Sequence, residues 1–278
     1  MGLWDDIKFQ FRVGNILMQL IYVNAGIFLA MMVLRIVFFL TGNADTFQLI
    51  NHYLTIPSDL GSLALRPWTV LTHMFMHSGF LHILFNMIWL YFGGTIFLNF
   101  LDSKKLLSTY ILGGLTGALF FVASMNLFDV LSSAAPYSTA VGASAAVLAI
   151  VVAAATTVPN YVVHLVLIGP VKLKYIAIVS VLLDVLFIPD GNAGGHFGHL
   201  GGAFFGFVYA SQLKRGNDLT VDILRPWFWL RERLPKRTGR IKVVHRKRKT
   251  DDQYNAERAD RQEEVDAILD KIKRSGYE

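Results

Sequence analysis

Gly198-His199-Leu200-Gly201-Gly202-Ala203-Phe204-Phe205-Gly206 sets an imidazole in an apolar run whose glycines recur every four residues, at 198, 202 and 206. Small residues at that spacing let two helix backbones approach closely in lipid, and His199 lies on the side of Gly202 and Gly206, at i+3 and i+7. A strongly hydrogen-bonding side chain in a lipid-spanning helix costs kilocalories unless it is paired or wetted. The imidazole therefore calls for a partner on another helix. Gly142-Ala143-Ser144-Ala145 offers one, a serine flanked by the small-residue face Ala143, Ala145, Ala146 and Ala149. A third apolar stretch, His82-Ile83-Leu84-Phe85-Asn86, carries two polar groups at i and i+4, one turn apart on one helix face.

The 278 residues are 54% hydrophobic and 17% charged, with a mean hydropathy of +0.45. That balance belongs to polytopic membrane proteins and lies outside the usual range of soluble domains. Eight basic residues (Lys8, Arg12, Arg35, Arg66, Lys104, Lys105, Lys172, Lys174) sit at segment ends, in connections or near a boundary, and the other 18 of 26 lie from Lys214 onward. The net charge of +6 is thus a property of the tail. The absence of cysteine excludes disulfides, thiol catalysis and cysteine-ligated metals. The start, Met1-Gly2-Leu3-Trp4-Asp5-Asp6, is acidic, and no Ala-x-Ala-like site follows a short apolar run, so a cleaved signal peptide is not expected and the first apolar segment reads as an anchor.

A spanning helix needs about 20 mostly apolar residues. Candidates are 15–41, 80–101, 106–128, 140–158, 172–188 and 196–213, which predicts an all-α polytopic membrane protein with a six-transmembrane-helix bundle over residues 1–213 and a basic cytoplasmic tail over 214–278. The connections holding Lys8/Arg12, Lys104/Lys105 and Lys172/Lys174, and the tail, are basic, whereas 42–79, 129–139 and 189–195 hold only Arg66 against Asp45, Asp59, Asp129 and Asp190. By the positive-inside rule both termini are cytoplasmic; the expected setting is a bacterial inner membrane. The connection 42–79, with Pro57, Pro67, Trp68 and an amphipathic stretch, is long enough to lie in the interface. In this topology the second, fourth and sixth helices run from outside to inside, and His82, Ser144 and His199 each fall near a helix start. At 1.5 Å per residue they share a depth of roughly 5–8 Å below the outer boundary.

A serine hydroxyl is a weak nucleophile until a base within about 3 Å takes its proton. Attack on an amide then creates an oxyanion that needs preorganised donors. Ser144 and His199 fit the first requirement; His82, Asn86 and the amide of Ser144, near its helix start, fit the second. No aspartate or glutamate is expected at a matching depth near His199, so the pattern predicts a Ser–His dyad. His73-x3-His77 has helical metal-ligand spacing, but the His-Glu-x-x-His arrangement of metalloproteases is missing and no metal or other cofactor is expected. His73 and His77 are instead expected to hydrogen-bond the loop before the second helix, His196 to cap or line the cavity mouth, and Asp184 to be a satisfied hydrogen-bonder or water contact rather than a functional acid.

Trp68-Thr-Val-Leu-Thr-His-Met-Phe-Met-His77, His82-x3-Asn86, Gly142-x-Ser144 and His199-x2-Gly202-x3-Gly206 together resemble the rhomboid intramembrane serine proteases, over most of residues 66–210. The resemblance implies a six-helix bundle with a water-filled cavity open to the outer side. It implies Ser144 as nucleophile, His199 as general base, and His82, Asn86 and the Ser144 amide as the oxyanion site. It also implies single-span membrane proteins as substrates, cleaved near the outer end of their helix. Two positions depart from the family pattern: Ala145 stands where a glycine is common, and Leu148 where many relatives carry an aromatic ring. Neither change removes a reacting group.

Arg225-Pro-Trp-Phe-Trp-Leu and the basic run Arg246-Lys-Arg-Lys249 suit a tail resting on anionic lipid, at roughly 1 kcal/mol per basic residue near the surface; nucleic-acid binding is not expected. Over residues 260–275, Val265, Ile268, Leu269 and Ile272 fall at i, i+3, i+4 and i+7, a short amphipathic helix stopped by Gly276. Two competing functions have their own signatures. A small-solute carrier predicts midplane broken helices and an internal repeat, neither of which is evident. A non-cleaving adaptor or chaperone predicts binding of transmembrane helices without turnover.

Overall fold

The computed structural model describes residues 15–166, 168–219 and 251–275, which fall in two compact units, one within 1–229 and the other within 230–278. The residues 1–14 that carry Lys8 and Arg12, the segment with Arg225–Leu230 and Arg246–Lys249, and the Gly276 stop lie outside the described residues.

In the first unit Asn15 caps α1 (Ile16–Leu40), its side chain accepting the N–H of Met18 at 3.1 Å. The predicted interfacial connection folds as α2 (Ala44–Leu54), β1 (Ile56–Pro57), α3 (Leu60–Leu65) and α4 (Thr69–Thr72), followed by a 3₁₀ turn over His73–Phe75. No residue of α2 is buried. Side chains answer the segment's own carbonyls: Arg66 Nη1 donates to His52 O at 2.6 Å, Trp68 Nε1 to Tyr53 O at 2.8 Å and Thr72 Oγ1 to Leu54 O at 2.8 Å. Then come α5 (Phe80–Phe100), α6 (Ser103–Leu127), α7 (Asp129–Ser132), β2 (Thr139–Ala140), α8 (Ser144–Thr157), the hairpin β3 (Val162–Leu165) and β4 (Gly169–Lys172), α9 (Leu173–Leu186) and α10 (Ala193–Lys214). β1 and β2 pair antiparallel, Ile56 opposite Ala140 and Pro57 opposite Thr139, so the long connection is clipped to the backbone just before Ser144.

The interior is organised around α8, of which Ala145–Val147 and Ala149–Ala155 are buried. Its small side chains let neighbours come to backbone range. A Cβ added to Gly202 would overlap the carbonyl of Ala145, and one on Gly206 the carbonyl of Ala149. On the opposite side, Gly113 and Gly117 of α6 receive the methyls of Ala149 and Ala145. A polar pair inside the bundle links two helices: Asn24 of α1 donates to Tyr110 Oη of α6 at 3.0 Å and to Leu20 O at 2.8 Å.

Each of the six predicted stretches holds a helix, but the lengths differ. Among the described residues, three helices are long and apolar enough to cross a membrane: α1, α5 and α6. α8 and α9 have 14 residues each, about 21 Å at 1.5 Å per residue, against a hydrocarbon core of about 30 Å. Sequence length overestimated them because 140–143 before α8 is strand and loop, Lys172 before α9 belongs to β4, and Phe187 and Ile188 after it form a turn.

In the second unit α11 runs Asp251–Ser275, longer than the predicted 260–275. Val265, Ile268, Leu269 and Ile272 are exposed on it.

Candidate active site

Ser144 is the first residue of α8, and Gly142 makes the turn that delivers it. Gly142 has φ +125°, a region L side chains rarely adopt, and a Cβ there would lie 2.8 Å from His82 Nε2. Its N–H donates to the carbonyl of His73 at 2.9 Å. The His73 ring is in turn held from within its own connection, Nδ1–H donating to Thr69 O at 2.9 Å. Burial pushes the His73 pKa down to about 4, so the ring is neutral.

The structure brings Ser144 and His199 together: Ser144 Oγ lies 2.7 Å from His199 Nε2. The approach follows from Gly202 and Gly206, where α10 meets α8 with no side chain intervening, while Gly198 faces Gly117 of α6. His82 stands across the turn. Its Nδ1 accepts the N–H of Ser78 at 3.3 Å and lies 3.0 Å from Ser78 Oγ. A backbone N–H can only donate, so the neutral His82 ring carries its proton on Nε2, the nitrogen that faces Gly142. Asn86 is buried on the same face and spends one amide N–H on the His82 carbonyl at 2.8 Å, keeping a second. As the first residue of its helix, Ser144 presents its own N–H among the amides that helix geometry leaves unpaired.

Two cavities meet at these side chains. One, of about 460 Å³, lies between α5 and α9, walled by Phe85, Trp89, Val147, Leu148 and Leu183, with Asn86 and Asp184. The other, of about 410 Å³, is bounded by Ser78, Gly142, Asn192 and Gly195. His82, Ser144 and His199 stand on the walls of both.

One site expectation needs correction. An acid does stand beside His199: Asp184 Oδ1 lies 2.7 Å from His199 Nδ1 and 2.8 Å from His196 Nδ1. The signal was present in the depth rule itself. Asp184 lies four residues before the end of the 172–188 stretch, roughly 6 Å from the boundary at 1.5 Å per residue, at the level assigned to His199. His196 is held by the same carboxylate. The His77 ring is buried and packs edge-on to His82 with centroids 5.2 Å apart. Among the described residues, the group of three ligand-type side chains close enough to share an ion is Asp184, His196 and His199, within 4.8 Å of one another, and not His73 with His77.

The departures at 145 and 148 find local accommodation. The Ala145 methyl packs where Gly117 has no side chain, and Leu148 lines the cavity wall beside His199.

This geometry can be set beside known proteins. A family model described as the Rhomboid domain matches residues 64–215, and another, described as a family of unknown function, matches residues 248–278. RHOMBOID-like protein 12, mitochondrial, of Arabidopsis thaliana is 27% identical over 211 residues, covering 73% of this chain and 59% of the relative. The chain thus spans about three-fifths of that relative's length. Its mitochondrial name lends no support to the bacterial inner membrane expected from the sequence. With the domain match extending over more than half its length, and with apolar helices fit to span a bilayer, this membrane protein belongs to the rhomboid family.

Proposed function

We propose that the protein is an intramembrane serine endopeptidase that cleaves single-span membrane proteins near the outer end of their transmembrane helix. The observation that carries this is the 2.7 Å contact between Ser144 Oγ and His199 Nε2 on the wall of two cavities. His199 Nε2 takes the Ser144 hydroxyl proton while Oγ bonds to the scissile carbonyl carbon; the carbonyl π pair moves to oxygen. His82 Nε2–H, the remaining Asn86 N–H and the Ser144 amide meet that charge. Collapse of the tetrahedral species expels the amine, which receives its proton from His199, and water hydrolyses the acyl-Ser144 ester. The apolar wall of Phe85, Trp89 and Leu183 between α5 and α9 suits a chain arriving from lipid.

In this reading α1, α5, α6, α8, α9 and α10 all cross the membrane within a domain over 1–213. The short α8 and α9 are completed by their extended flanks inside the protein, where irregular backbone is tolerated. Residues 214–278 form a basic cytoplasmic tail, and both termini lie on that side.

The test is reaction of the reconstituted full chain with a fluorophosphonate, alongside cleavage of a transmembrane substrate. Wild type is expected to label on Ser144 and to cleave, with Ser144→Ala and His199→Ala doing neither while remaining folded. Unchanged turnover by either variant rejects the roles; binding of transmembrane helices without labelling or cleavage by wild type assigns the chain to the non-cleaving adaptors.

A further inference from the structure

Asp184 comes from α9, whereas His196 and His199 come from α10 at i and i+3, so both rings leave one helix face and converge on a single carboxylate oxygen, Oδ1, at 2.8 and 2.7 Å. The Asp184 side chain is only 12% exposed, against 19% for His196 and 29% for His199. It is the innermost of the three.

An ionised carboxylate only accepts hydrogen bonds. Both imidazoles must therefore carry a proton on Nδ1, and the neutral His199 ring is left with a bare lone pair on Nε2, the atom 2.7 Å from Ser144 Oγ. The tautomer a general base needs is thereby set by Asp184 and not by the serine. The second bond has its own use: with one oxygen tied to two rings, the carboxylate is held by His196 as well as by His199, and its position does not depend on the base alone.

We propose that Asp184 is a positioning residue that holds His199 as the Nδ1–H tautomer and stabilises the imidazolium formed on attack, with His196 fixing the carboxylate; this rests on the reading of Ser144 and His199 as nucleophile and base. The Ser144 proton travels to His199 Nε2 and later to the leaving amine. Asp184 stays ionised and exchanges no proton. The carboxylate acts by being next to the positive charge that appears on the ring only during reaction.

Asp184→Asn separates charge from shape. A merely structural link between α9 and α10 would tolerate the isosteric amide, whereas an amide N–H offered to Nδ1 forces the proton to Nε2 and disables the base. In the reconstituted full chain, D184N is expected to lower kcat by about 10²–10⁴-fold with KM within about twofold, and to slow fluorophosphonate labelling of Ser144, with thermal stability near wild type. Asp184→Ala should lose a similar factor and regain kcat with added formate, a small carboxylate that does not rescue Ser144→Ala. His196→Ala should fall between wild type and D184N. Wild-type kcat in D184N overturns the proposal. So does failure of both D184N and D184A to fold, which would assign Asp184 to holding the helices together. A wild-type protein that neither labels nor cleaves defeats the reading of the site itself, before Asp184 is touched.

Discussion

The N–H of Gly142 donates to the carbonyl of His73 at 2.9 Å, joining the loop that carries the serine to the connection ahead of α5. Two segments about 70 residues apart thus set one turn. Clipped again by Ile56 opposite Ala140, the turn holds φ +125° at Gly142 and brings the start of α8 under the His82 ring.

Gly142→Ala tests that turn. A Cβ would sit 2.8 Å from His82 Nε2 on a backbone that L residues rarely adopt. The strain is of order 1–3 kcal/mol, and the ring or the turn must move. Cleavage is expected to drop at least tenfold, while an intact bundle remains by circular dichroism; wild-type cleavage would show that the turn's shape is immaterial.

Close packing of α10 on α8 predicts opposite outcomes for two glycines. Gly202→Ala gains up to about 1 kcal/mol of helix propensity but drives a methyl onto the Ala145 carbonyl, and overpacking of that kind costs about 1–3 kcal/mol. The packing cost wins, so unfolding in mixed micelles should shift to lower denaturant. Gly26→Ala in α1 has nothing within 4 Å of the new methyl and should leave stability equal or higher. Equal stability in G202A would contradict the backbone contact.

Asn86 of α5 tests the oxyanion site. Asn86 keeps one amide N–H after bonding the His82 carbonyl, and Asn86→Ala is expected to lower kcat by up to about 10²–10³-fold if that N–H meets the oxyanion. Less is lost where His82 and the backbone compensate. Single-turnover acylation rates are the measurement, and no change in acylation would remove Asn86 from the oxyanion site.

Stability should fall as pH drops through the range set by His73. Its folded-state pKa is lowered from 6.5 to about 4 by burial, so between those values the unfolded chain binds a proton that the folded chain refuses. The contribution is complete above pH 6.5 and is lost on acidification towards pH 4, up to about 3 kcal/mol at 1.36 kcal/mol per pKa unit. His73→Gln removes that titration, and its stability should be flatter over the same range in equilibrium unfolding; an unchanged slope would place the loss elsewhere.

Much of the candidate site was legible because lipid makes polar side chains conspicuous. Ser144, His199, His82 and Asn86 stood out against apolar surroundings, and helical spacing set them on defined faces at a common depth. Asp184 obeys the same depth rule and is the satisfied hydrogen-bonder the sequence suggests, but depth says nothing of rotation, so its pairing with His199 is fixed only by how α9 packs against α10. The packing of His77 against His82 is likewise decided by the next helix and not by the segment that carries His77.

Composition and periodicity by themselves determined a membrane-embedded helical chain with glycine-lined contacts, because hydrophobic length and small-residue spacing are properties of local sequence. Only the tertiary structure decided that α8 and α9 are 14-residue helices with extended flanks, that residues 42–79 fold back to clip the serine loop, and that one carboxylate receives two imidazoles. Those features depend on the rotation and close approach of helices distant in sequence, which are settled by how whole surfaces fit and not by any one segment.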